Sequence, residues 1–194
     1  WKLNFVVIFV DSTNSSSIFI SSKTSFFNFN TANVTNMSNY FSFCQNLIFV
    51  NFGDKFVTNN VTDMSYMFNG VSCESLEISS FNTSNVTNMS YMFANIGNVN
   101  FPSALDFNTS KVTDMNHMFY NYKNGLATAL TLNFDTSKVK NMSYMFSDSI
   151  PTILDISNFD TSNVTSMYRM FQGSKAKTLN LTSFNIDNVT NMID

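Results

Sequence analysis

Apolar positions in this chain follow two periods that alternate along its length. In Leu76-Glu77-Ile78-Ser79-Ser80-Phe81 apolar and polar residues alternate at first, the period of a half-buried strand. Further on, Val86, Met89, Met92 and Phe93 stand at i, i+3, i+6 and i+7. On a helix these four fall within about 120° of one face. Between the two stretches, Asn82-Thr83-Ser84 offers a polar turn whose short side chains suit a helix N-cap. The pattern predicts one short strand, a turn, and two turns of helix. So short a helix is marginal alone and depends on burial against a neighbour.

The neighbour is supplied by repetition. The phrase Val-Thr-x-Met-x-x-Met-Phe starts at Val34, Val61, Val86, Val112, Val139, Val164 and, cut short, at Val189, in steps of 25–27 residues. All 12 methionines fall inside it. Self-similarity at such a period is the mark of a solenoid, in which each repeat is buried by the next. The strand cadence recurs in Leu154-Asp155-Ile156 and Leu179-Asn180-Leu181, and more loosely at Leu130, Leu132 and Phe134, and at Leu105 and Phe107. Extra residues around Gly53-Asp54-Lys55 predict a loop insertion. The expected fold is an α/β repeat solenoid, leucine-rich-repeat-like, with one short parallel strand and one short helix per repeat and about seven repeats. Residues 1–28 match the phrase poorly and are expected to form an N-terminal cap, with Leu3 to Val10 as a strand. Residues 29–194 form the repeat region, and the whole is one domain. The start at Trp1 and the stop inside a repeat at Met192-Ile193-Asp194 suggest a segment of a longer chain.

The repeats, with their Asp135-Thr136-Ser137 and Asp160-Thr161-Ser162 lead-ins, resemble those of the BspA-like leucine-rich-repeat surface proteins. The resemblance spans about residues 29–194, although the first copy has Tyr40 in place of the second methionine. It implies a bacterial or protist protein of the cell surface, extracellular and used in adhesion or host contact. It supplies no active site.

Composition narrows the partners. Hydrophobic residues make up 44% of the chain, enough for a core, while only 12% are charged. That is about half the usual share, so solubility must rest on Asn, Ser and Thr. A net charge of −3 without a basic cluster argues against nucleic acid. No apolar stretch approaches the length of a membrane span, so direct membrane insertion is not expected.

Catalytic chemistry finds little footing. The single histidine, His117, has no cysteine or carboxylate cluster to complete a metal site or a triad. Asp63 and Asp114 share a column with Asn36, Asn88 and Asn141, which is a polar face and not an acid–base pair. The methionines, at strict spacing beside phenylalanine, read as core filler. The expectation is a protein that is not an enzyme and has no cofactor and no metal.

Three sets of candidate residues remain. Cys44 and Cys73 each precede a strand leucine by three residues, so adjacent repeats would bring them within disulfide range. The alternative is two buried thiols in a small-residue column with Ala127 and Ala176. Asn-x-Ser/Thr sequons stand at Asn14, Asn33, Asn36, Asn60, Asn82, Asn85, Asn88, Asn108, Asn141, Asn163, Asn180 and Asn188. A eukaryotic-type secretory pathway would glycosylate some of them, although the repeat creates most of them automatically. Finally, Asn39, Tyr66, Tyr91, His117, Tyr144 and Arg169 share one repeat position. On a helix it points about 160° from the apolar face. Tyr66, Tyr91, His117, Tyr144 and Arg169 thus form a candidate binding stripe of residue types favoured at interaction hot spots; the alternative is that the rings cover the seam between short helices.

Two functions fit. One is a surface module for adhesion or recognition, whose partner is a protein or glycan on another surface. The other is a structural subunit that stacks with copies of itself into a fibre or surface layer.

Overall fold

The computed structural model describes residues 24–27, 30–45, 49–97, 104–123 and 129–193. Most of the expected cap, including Leu3 to Val10 and the sequon at Asn14, lies outside them. The described residues form short strands and no helix: β1 (Thr24–Phe27), β2 (Phe49–Phe52), β3 (Ser75–Leu76), β4 (Ala104–Leu105), β5 (Ala129–Leu132), β6 (Ile153–Asp155) and β7 (Thr178–Leu179). They pair in chain order into two parallel sheets, β1-β2-β3 and β4-β5-β6-β7. Equivalent leucines face one another, Leu130 opposite Leu154 and Leu154 opposite Leu179.

The expected helix is replaced by a run of tight turns. In the third copy the amides of Met92 and Ala94 bond back to the carbonyls of Met89 and Tyr91, at 3.2 and 3.1 Å, which is an i to i−3 pattern. The alternate amides cross to the following copy: Met89 to Asp114, Tyr91 to Asn116, Phe93 to Met118 and Asn95 to Tyr120, at 2.8–3.0 Å. A helix would have satisfied these groups within the segment. Here the next copy satisfies half of them. Single-residue parallel bridges continue this second ladder through Asn36, Asp63, Asn88, Asp114, Asn141, Ser166 and Asn191. A unit of strand plus helix is therefore not what the described residues build.

The inward columns survive the change of backbone. Val86, Met89, Met92 and Phe93 are fully buried, as are their counterparts in the copies on either side. Phenylalanine rings stack from copy to copy. Centroids lie 5.5 Å apart for Phe41–Phe68, 5.9 Å for Phe68–Phe93, 5.7 Å for Phe93–Phe119 and Phe119–Phe146, and 5.8 Å for Phe146–Phe171. A second column, Phe107–Phe134–Phe159, repeats at 6.4 Å.

The Asn/Asp-Thr-Ser triplets have no helix to cap and do two other jobs. The first residue forms an Asx turn: Oδ1 of Asn82, Asn108, Asp135 and Asp160 accepts the amide of the serine two residues on, at 2.9–3.2 Å. The Ser137 bonds hold the Asp135 carboxyl below the usual carboxylate range. The threonine is buried and ties one copy to the next. Hydroxyls of Thr58, Thr83, Thr109, Thr136 and Thr161 donate to carbonyls of Asn82, Asn108, Asp135, Asp160 and Asn185 at 2.8–3.0 Å. Buried polar groups are retained when so satisfied. A second set of Asx turns explains the alternation of Asn and Asp seen in the sequence. Asn36, Asp63, Asn88, Asp114 and Asn141 each accept the amide two residues on, at 2.7–3.0 Å.

Candidate functional site

The consecutive turns force positive φ at two places in each copy. A β-turn with φ above zero at its third residue suits glycine or asparagine. The second place obeys this rule at Gly70, Asn95, Asn121 and Gly173, with Asp148 and Phe43 completing the set. A Cβ on Gly70 would lie 2.6 Å from Cδ1 of Phe43, so a side chain there would also push that exposed ring aside. The first place follows a different rule. Only Asn39 (φ 59°) is a natural occupant; the rest are Tyr66 (57°), Tyr91 (56°), His117 (54°), Tyr144 (56°) and Arg169 (52°).

A left-handed residue with a bulky side chain costs about 1–2 kcal/mol. The offset comes from stacking. Ring centroids are 4.4 Å apart for Tyr66–Tyr91, 4.1 Å for Tyr91–His117 and 4.4 Å for His117–Tyr144, with planes within 20° of parallel. Such pairs contribute about 0.5–1.5 kcal/mol each beyond buried area. Strain and stacking are of similar size, and the half-buried rings add the gain from the surface they cover.

The structure thus brings four of the five stripe residues into one continuous column of half-buried rings. Inside the column the faces cover one another, and a ligand can meet only edges and hydroxyls. Arg169 stands at its far end. Its Cζ lies 5.1 Å from the Tyr168 ring centroid, and Tyr168 meets Tyr144 edge-on at 5.3 Å. The Arg169 Nε is buried without a hydrogen-bond partner.

His117 is the electrostatic oddity of the column. Burial between two rings pushes its pKa down to about 4, against a weaker upward pull from Asp114. Nδ1 lies 2.9 Å from Oδ1 of Asn116. The folded state therefore binds fewer protons than the unfolded chain, whose histidine titrates at 6.5. Its contribution is whole above that value and is lost as pH falls toward about 4. NMR of this lone histidine is expected to show a ring titration near pH 4, and His117→Tyr should flatten that part of the stability profile. A midpoint near 6.5 would mean a solvated ring.

Cys44 and Cys73 are both buried, and no disulfide joins them in this structure. Burial, and then the neighbouring Cys44, push the Cys73 thiol up to about 12. Reactivity needs the thiolate, so Cys73 is inert in this setting.

The sequons sort into two groups. Asn60, Asn85, Asn163 and Asn188 lie along one outer column, with Asn33 exposed at the same repeat position. Their Nδ2 groups donate to carbonyls of Ala32, Asn59, Ser137 and Ser162 in the preceding copy, at 2.7–2.8 Å. Asn36, Asn82, Asn88, Asn108, Asn141 and Asn180 use Oδ1 in Asx turns with their own sequon residue. Sequence reasoning missed the buried threonine ties. A threonine three residues before the phrase valine in six copies in a row, from Thr31 to Thr161, with serine never substituting, was the available signal.

Among the described residues no three His, Cys, Asp or Glu side chains gather as a metal site, and no helix is long and apolar enough to cross a membrane. Parallel pairing of sequence repeats, with an aromatic column along the surface, defines the class of protein. The chain belongs to the family described as "Mycoplasma protein of unknown function, DUF285", which matches residues 13–126 and again residues 98–194. No curated protein and no solved structure matches it.

Proposed function

We propose that the chain is a non-catalytic repeat solenoid of the BspA-like kind, working outside the cell in adhesion or recognition. The observation that carries this reading is the column Tyr66-Tyr91-His117-Tyr144, ending in Arg169, held at positive φ where asparagine would fit. Strain kept at bulky residues whose edges stay in solvent suits a use for those edges. Tyrosine hydroxyls along such an edge suit a hydrogen-bonding partner, a protein or a glycan on another surface.

Asparagine tolerates left-handed φ, so a Tyr91→Asn/Tyr144→Asn variant removes the rings without breaking the turns. Binding of purified protein to intact cells and to immobilised glycans is expected to weaken about tenfold or more, as for loss of a hot spot. The melting temperature should stay within a few degrees of the parent. A variant that binds as the parent does would refute the role of the column.

A further inference from the structure

Tyr66 and Tyr91 stand in a relation that no other described tyrosine pair shares. They occupy equivalent places in successive copies, with ring centroids 4.4 Å apart and planes 7° from parallel. Burial, and then the neighbouring Tyr66 hydroxyl, push the Tyr91 phenol up. Elsewhere the column breaks the pairing. His117 separates Tyr91 from Tyr144, and Tyr144 meets Tyr168 at 69°, edge to face. Tyr40 and Tyr122 are buried in the core, whereas Tyr66 and Tyr91 keep part of their surface in solvent.

We propose that Tyr66 and Tyr91 are an oxidative cross-linking site that closes to dityrosine when a one-electron oxidant, such as a haem peroxidase with hydrogen peroxide, reaches the column. Each ring gives one electron to the oxidant and its phenolic proton to water. The two phenoxyl radicals then join through a carbon–carbon bond between ortho carbons. The hydrogen displaced from each of those carbons returns to its own ring oxygen and restores the phenol. The two electrons and two protons removed reduce one hydrogen peroxide to two waters. The bond would fasten one copy to the next from outside, where only weak stacking holds the rings. It does not depend on what the column binds.

The test treats the folded protein with peroxidase and hydrogen peroxide, then follows dityrosine fluorescence, intact mass and cross-linked peptides. The expected product is a monomer lighter by two hydrogen atoms, with the link between Tyr66 and Tyr91. Tyr66→Phe and Tyr91→Phe, which keep the stacked rings, should each abolish it, and Tyr144→Phe should not. His117→Tyr removes the interruption and should add links through position 117. Unfolding in urea before oxidation should suppress the link. The proposal is overturned if dityrosine forms only between chains or at other tyrosines. It is equally overturned if the monomer link survives either phenylalanine variant, or if the folded protein forms no dityrosine at all.

Discussion

Replacing Phe93 with alanine is expected to destabilise the protein by about 3–5 kcal/mol, the range for deleting a buried aromatic ring. Phe93 is fully buried and sits between the rings of Phe68 and Phe119, with Phe107 at 6.2 Å. The core is a line of such contacts, each ring covered by the ring before and the ring after. Removing one therefore leaves a cavity lined from both sides and weakens one of the ties between flanking copies, beside the amide ladder and the threonine bonds. In repeat arrays, stability is close to a sum of nearest-neighbour terms, so the loss can also split unfolding into two steps. Chemical denaturation followed by tyrosine fluorescence measures both effects. A loss below about 1 kcal/mol would mean that the ring column is not what joins the copies.

The second large effect comes from comparing two threonines four positions apart in sequence. Thr109 is buried, and its hydroxyl donates to the Asp135 carbonyl of the next copy at 2.9 Å. Thr109→Val keeps the shape and strands that carbonyl, which is expected to cost about 1–3 kcal/mol. Thr113 is exposed, and its hydroxyl reaches the Thr87 carbonyl at 3.3 Å. That carbonyl already takes the Thr113 amide at 2.9 Å. Thr113→Val should therefore stay within about 0.5 kcal/mol of the parent. Equal effects at the two sites would contradict the assignment of the buried threonines as ties between copies.

The sequence revealed the repeat and its buried side chains but not the backbone that carries them. Val86, Met89, Met92 and Phe93 point inward both in a helix and in successive turns, because a spacing of three serves either geometry. The burial pattern could not separate the two. Asn, Asp or, in the sixth copy, Ser166 before each first methionine, and Gly70, Asn95, Asn121 and Gly173 further on, are turn formers and poor helix formers. Their regular recurrence was the better guide. The same degeneracy hid the threonine ties, since Asn-Thr-Ser reads equally well as a helix cap. The stripe was legible as a set of residues. The alternative that the rings cover the seam between copies anticipated contact, but not face-to-face stacking at 4.1–4.4 Å, because that geometry follows from the turns and not from a helix.

What must hold is that successive copies lie in register, each pressing its rings on the next. Phenylalanine-labelled protein in solution allows the direct check, through nuclear Overhauser contacts between ring protons. A continuous relay should run Phe68 to Phe93, Phe93 to Phe119, Phe119 to Phe146 and Phe146 to Phe171, matching centroid spacings of 5.7–5.9 Å. Rings that show contacts only within their own copy would contradict it.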